Sequence, residues 1–357
     1  MSIRILAVTD LREEEISTPL QTSDGSKTVS IEQYDGIVRK YIYLSVILIR
    51  ELYLFNYDCI LVYNGVGLVG LVPILFGKVS TCPVVSRMNG DVFRQHEEHI
   101  KYHMEERNIV KYIKYSSFSR LTKYNYSQFD GHLVVSPHLR DLLIDRLGCG
   151  QSLVRFVPNP KDRDKFLTNG NRFDGDNIIL LTVANYNFYG KYRGTLEIAN
   201  SIEQLLENND NIEFRIAGGG KYYKEMEIHM GEINGRINCL GYVDEIQYEY
   251  EAADILLYNS YIDGAPNVIL EGQLCGLPII SNSLYGMRYQ ITHQETGLLV
   301  DTPEEFVEWV EFLIENKDYA KSLGDQARSK AISDNCPQKI GMEMVTAIKQ
   351  IVSSGTT

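Results

Sequence analysis

The sequence predicts an α/β protein built from two doubly wound, Rossmann-like parallel-sheet units, and three observations lead there. The chain has 357 residues, more than one ordinary core accommodates, so two domains of roughly 150 to 200 residues are expected. Short β-rich apolar runs alternate with stretches of helical periodicity, the strand, helix, strand pattern of a parallel sheet. That alternation occurs twice, on either side of a polar break.

In the first series the β-rich runs are Ile3 to Thr9, Asp58 to Tyr63, Pro83 to Arg87, His132 to Ser136 and Val154 to Pro158. Asp10 to Ser30, with Asp24-Gly25-Ser26, reads as a loop. The second series comprises Ile178 to Val183, Ile212 to Ala217, Ile237 to Leu240, Ile255 to Tyr258, Pro278 to Ser281 and Gly297 to Val300. Between the series, Asn159 to Lys165, Thr168 to Asn171 and Asp174 to Asn177 have little to bury. This stretch divides the chain into domains 1–162 and 163–336. Helical patterns over Pro303 to Asn316, Tyr319 to Ser333 and Ile340 to Ile351 follow.

Composition narrows the function. An apolar fraction of 44% and a charged fraction of 23% belong to a globular chain rather than a disordered or fibrous one. The 35 basic and 47 acidic residues give a formal charge of -12, which repels nucleic acid and confines any contact with an anionic bilayer to a local patch. Six cysteines without a CxxC pair read as reduced thiols of a cytoplasmic enzyme. The most apolar stretches, Tyr41 to Ile49 and Val66 to Phe76, are broken by Arg50-Glu51 and by Pro73, so neither spans a bilayer.

The most informative run is Tyr258 to Ile280, which reads as strand, turn, helix, turn, strand. Gly264 supplies a permissive turn, Pro266 suits the first helical turn, and Gly276 with Pro278 ends the helix. The helix start therefore points backbone N–H groups out of the carboxyl edge of a sheet, a site for an anion and most naturally for phosphate. Asp263 and Glu271 put one carboxylate at the turn and one about two turns along the helix. They could hydrogen-bond two separate sets of hydroxyls, or serve as a capping Asp and a solvated Glu.

Asp263 to Glu271 resembles the Glu-x7-Glu element of glycosyltransferase family 4, with Gly264, Pro266, Asn267, Glu271, Gly276 and Pro278 in register. The similarity extends to Phe214 to Gly220, Leu240 to Val243, Ala253-Asp254-Ile255 and Glu295 to Val300, and more thinly to Val134-Val135-Ser136 and Val157 to Pro160. The resemblance implies the GT-B fold, two facing Rossmann-like domains with a cleft between them, and a last helix, 337–357, returning to the first domain. It also implies retaining transfer of a sugar, a hexosyl group by type, from a nucleoside diphosphate-sugar to a glycan or lipid-linked acceptor, with no metal or other cofactor.

By that resemblance Asp263 binds donor-sugar hydroxyls and Glu271 the ribose, while the backbone of Gly264, Ala265, Pro266 and Asn267 holds the diphosphate. The family usually has Glu where this chain has Asp263, about 1.5 Å shorter in reach. Negative charge on the departing diphosphate calls for fixed cations. In the family they stand after the first strand of the second domain; here Asn185 occupies the usual Arg place, Arg193-Gly194 resembles the usual Lys-Gly, and Lys191 is a second candidate. Lys191 and Arg193 also fit solvated charges at a helix start. Gly218 and Gly219, with Tyr242 and Val243, lie on the donor side by the same resemblance, although Gly218-Gly219-Gly220 equally fits a plain tight turn.

In the first domain, Asn89 and Gly90 follow a strand where many relatives of the family carry His-Gly near the sugar, and a plain Asn-Gly turn reads as well. Residues 94–126 carry seven basic and four acidic residues with six interleaved aromatics. That segment could rest on the inner face of an anionic membrane, line an acceptor groove, or form a solvated helix or hairpin. His96, His99 and His103 share one helical face, a spacing compatible with zinc, but no Cys or further His motif accompanies them. The rival readings are a degenerate subunit that binds nucleotide sugar or a partner without turnover, and a GT-B epimerase or phosphorylase.

Overall fold

The computed structural model describes residues 3–10, 13–21, 23–34, 36–166, 172–233 and 235–354. Thr168 to Asn171 of the polar break and Gly355 to Thr357 of the tail lie outside the described residues. The chain divides into two units, Met1–Pro160 with Pro337–Thr357, and Lys161–Cys336.

The first unit runs β1 (Ile5–Thr9), α1 (Glu14–Leu20), β2 (Lys27–Ser30), α2 (Ile37–Leu54), β3 (Cys59–Tyr63), α3 (Gly67–Ser80) and β4 (Val84–Met88). It continues with α4 (Val92–Glu105), α5 (Ile109–Gln128), β5 (Gly131–Val134), α6 (Pro137–Leu147) and β6 (Val154–Phe156). Its sheet has the order β2-β1-β3-β4-β5-β6 with every pair parallel. β1 and β3 are buried along their whole length, as expected for central strands covered on both faces.

Two sequence expectations need correcting here. The stretch expected as a loop from Asp10 to Ser30 carries α1 (Glu14–Leu20) and the edge strand β2 (Lys27–Ser30). The strand expected to end at Pro158 stops at Phe156, since Pro158 has no N–H for the ladder.

The second unit runs β7 (Ile178–Val183), α7 (Tyr189–Asn208), β8 (Ile212–Ala217), α8 (Tyr223–Ile233), β9 (Ile237–Gly241), α9 (Gln247–Ala252), β10 (Ile255–Tyr258), α10 (Asn267–Leu274) and β11 (Ile279–Asn282). α11 (Met287–Gln290), β12 (Leu298–Val300), α12 (Pro303–Glu315) and α13 (Lys317–Asp334) complete it. The sheet order is β12-β11-β10-β7-β8-β9, again all parallel. The last helix, α14 (Pro337–Ser354), belongs to the first unit. Its Ile340, Met344, Ile348 and Ile351 join Ile5, Leu61, Val85 and Leu133 in one apolar core.

A buried cation braces the second unit. Arg172 donates to the carbonyls of Tyr250 (2.8 Å) and Glu251 (2.6 Å) at the end of α9, and to that of Cys275 (2.8 Å) at the end of α10. Helix carboxyl ends favour a cation, and these bonds hold α9 and α10 together. Arg172→Ala should lower the unfolding free energy by about 3 kcal/mol, read as a lower denaturant midpoint with an unchanged slope.

Candidate functional site

In the second sheet the chain winds outward from β7 to β9 on one side and from β10 to β12 on the other. The loops after β7 and β10 therefore diverge, leaving a crevice at the carboxyl ends of these neighbouring strands. α7 begins after β7 and α10 after β10, and neither helix start has a side-chain cap. The positive dipole end of such a helix start favours an outside anion.

Lys191, in the first turn of α7, meets Asp263 of the β10 loop at 3.0 Å, with both side chains about 15% exposed. The other Asp263 oxygen, Oδ2, accepts from the Tyr258 and Ser260 hydroxyls, each at 2.6 Å. Burial pushes this carboxyl up, but the Lys191 ammonium and the two hydroxyls outweigh it and hold Asp263 below the usual carboxylate range. Burial and the neighbouring Asp263 push the Tyr258 phenol well up, so it stays a donor. Asp263 is thus a fixed, ionised acceptor at the crevice.

Glu271 lies on α10. Its Oε1 accepts from Lys161 Nζ at 2.5 Å and its Oε2 from the Tyr250 hydroxyl at 2.9 Å. An ionised carboxylate accepts about four hydrogen bonds, so these two leave capacity for a pair of vicinal hydroxyls. Pro266 precedes α10 as its N-cap rather than lying in the first turn, and Glu271 stands about one turn along the helix, not two. The helix does end at Gly276, where the amides of Gly276 and Leu277 reach back to the Gln273 and Gly272 carbonyls at 2.9 and 3.0 Å.

Gly264 lies outside the left-handed region, so its expected role as a permissive turn is not what requires glycine. The crowding comes from Gly286, where an added Cβ would overlap the Gly264 carbonyl oxygen. Gly286→Ala should push on the loop that carries Asp263, lowering stability by about 2 kcal/mol and cutting activity. A variant with full activity would contradict this.

The remaining candidates sit on the same sheet edge with different partners. Arg193 turns away from Asp263: it bonds Glu197 at 2.8 Å and lies over the Tyr261 ring at 4.5 Å. Glu197 also accepts from the Tyr261 hydroxyl (2.5 Å) and the Asn259 amide (3.1 Å), tying the β10 loop to α7. Asn185 is exposed and accepts from the Asn187 amide at 3.1 Å. Gly218 has φ +131, and a Cβ there would overlap the Ala184 carbonyl, so this glycine lets the β8 loop pack on the β7 loop. Gly219 faces Tyr242, which is 79% exposed, while Val243 packs on the core of the second unit.

In the first unit Asn89 follows β4, its side-chain amide donating to Glu15 at 2.8 Å and to the Tyr63 hydroxyl. Gly90 adjoins the side chain of Gln95. Residues 94–126 form most of the helix pair α4 and α5, joined through a left-handed Arg107. The three histidines of α4 pack on rings of α5: His96 against Phe118, and His99 and His103 stacked on Tyr115. Burial lowers His96 to about 4. Among the described residues no group of three His, Cys, Asp or Glu side chains is arranged to hold a metal ion.

The sequence alone assigned no site role to Tyr258, Ser260, Lys161, Tyr250 or Glu197. Ser260 lies three residues before Asp263, a local signal of a turn. Lys161 is 110 residues from Glu271, and nothing local ties the two together.

Comparison with known structures shows the class first. Anabaena HepE in complex with UDP-glucose superposes with a TM-score of 0.74 at 14% identity, covering 97% of this chain and 99% of that one. The fold is GT-B. Residues 164–330 match the family model of the glycosyl transferases group 1. A viral protein named as a glycosyltransferase (isolate Australia/Victoria) is 29% identical over 231 residues, 64% of this chain and 66% of the relative. A Campylobacter jejuni N-acetyl-D-galactosaminyltransferase, named for a glycan on PP-undecaprenol, is 25% identical over 184 residues, 50% of this chain and 49% of the relative. The chain thus spans about half to two thirds of the length of these curated relatives. Together the matches support a glycosyltransferase.

Proposed function

We propose that this protein is a retaining glycosyltransferase of family 4 that moves a hexosyl group from a nucleoside diphosphate-sugar to a hydroxyl of a glycan or lipid-linked acceptor. The observation that carries the reading is the Lys191–Asp263 pair at the crevice between β7 and β10, flanked by two uncapped helix starts and by Glu271. A diphosphate suits the helix starts and the lysine, sugar hydroxyls suit the ionised Asp263, and a ribose suits the spare capacity of Glu271. UDP-glucose in HepE and the PP-undecaprenol glycan in the name of the Campylobacter relative support the donor and acceptor classes.

The acceptor hydroxyl attacks the anomeric carbon on the face from which the phosphate departs. The new carbon–oxygen bond forms as the bond to phosphate breaks, its electron pair staying on the diphosphate, and the acceptor proton passes to the departing phosphate oxygen. Lys191 stabilises the charge that builds on the leaving group, while Arg193, held by Glu197 and Tyr261, braces the β10 loop on α7. The backbone of Gly264, Ala265, Pro266 and Asn267 holds the diphosphate, with Asn185 beside it, and Gly218, Gly219, Tyr242 and Val243 lie toward the nucleobase. Asn89 and Gly90 serve the acceptor side. The reaction needs no metal, and residues 94–126 touch an anionic membrane surface.

Proton NMR of the product tests this reading. The expected result is a product with the anomeric configuration of the donor, formed at an unchanged rate in the presence of a chelator. An inverted product would overturn it.

A further inference from the structure

Helix α2 breaks the usual rule for a surface helix. Leu44, Leu48 and Glu51 face inward; the opposite face should then be polar. Instead Val38, Ile42, Val46, Ile49 and Tyr53, at spacings of four, four, three and four, form an exposed apolar stripe, each 56% exposed or more. The neighbouring α3 extends the pattern with Leu75 and Val79 exposed on either side of Lys78. An apolar surface of this kind marks a contact with something else.

The exposed charge carried by α2 and α3 themselves is of one sign. Arg39 and Arg50 flank it and are exposed, and Lys40 is half-buried. The single carboxylate of α2 and α3, Glu51, is buried and already paired with Lys27 (2.7 Å) and Arg50 (2.6 Å). A second copy of this face would bring arginines against arginines. An anionic lipid surface supplies both the apolar layer for the stripe and the negative charge for its flanks. No helix among the described residues is long and apolar enough to cross a membrane, so α2 would lie in the interface rather than span it.

We infer that α2, with the adjoining end of α3, is a monotopic membrane-docking face that seats its apolar stripe in an anionic lipid surface. The inference goes beyond the contact proposed for residues 94–126 and involves different residues.

The test is co-sedimentation of the full chain with phosphatidylcholine vesicles and with vesicles containing about one third phosphatidylglycerol. The expected result is binding to the anionic vesicles, weakened about a hundredfold in the double variant I42D/V46D and weakened by raised salt in the wild type. Because both side chains point outward, the variant should keep the wild-type circular dichroism and melting temperature. Absence of binding to either vesicle would overturn the inference. So would equal binding by I42D/V46D, or binding lost only in K111E/K114E on α5. A wild-type dimer in analytical ultracentrifugation that I42D/V46D dissolves, without vesicle binding, would assign the stripe to a second copy instead.

Discussion

Replacing Lys191 by methionine is expected to lower kcat about a thousandfold while changing the donor KM far less, because the cation matters most when the diphosphate departs. The same variant should lose stability. Methionine keeps the volume of the lysine stem but leaves the Asp263 carboxylate, 15% exposed, without its ion partner, a loss of about 3 kcal/mol. pH provides a second readout. Asp263 has a folded-state pKa below its unfolded value, so its contribution to stability is present above the unfolded pKa and is lost as pH falls through the folded one. Without Lys191 the folded pKa rises, and acid unfolding of the variant should begin at a higher pH than in the wild type. Wild-type turnover together with an unchanged acid transition would remove Lys191 from the site.

Glu271→Gln should act on binding. Hydrogen bonds from ribose hydroxyls to a charged acceptor contribute about 1.5–3 kcal/mol, so the donor KM should rise about 10- to 100-fold with kcat much less affected. The glutamine can still accept from Tyr250, which separates loss of charge from loss of shape. Lys161 then has no ionised partner, and Lys161→Met in the same background should cost little more, since the two side chains act as one unit. Isothermal titration with the nucleoside diphosphate alone checks the binding half. An unchanged affinity would take Glu271 out of the nucleotide site.

The sheets were legible to different depths. Ile178–Val183, Ile212–Ala217 and Ile255–Tyr258 are strands with the bounds expected from sequence, because central parallel strands are continuous apolar runs between turn residues. β2 was not legible. Its four residues, Lys27–Ser30, lie at the sheet edge and only Val29 is buried, so neither an apolar run nor a clear alternation marks it. α1 carries Pro19 within its seven residues, which hides its helical pattern.

The site divides in a similar way. The turn and helix after β10 could be read from Gly276, Pro278 and the spacing of the two carboxylates, since each acts within one connection. The pairing of Lys191 with Asp263 could not. It depends on β10 lying beside β7 although two strands, β8 and β9, intervene in the chain, and on Lys191 rather than Arg193 facing the crevice. Both depend on tertiary packing: strand order sets the first, and the Glu197 and Tyr261 contacts that draw Arg193 aside set the second.

Release of nucleoside diphosphate from a panel of UDP-, GDP- and ADP-linked sugars, with and without a membrane extract as the acceptor source, tests the central claim most directly. The account predicts release from one donor class that the acceptor stimulates and that both Lys191→Met and Glu271→Ala lose. Tight binding of a nucleotide sugar with no release under any acceptor condition would contradict it and make the chain a binding subunit.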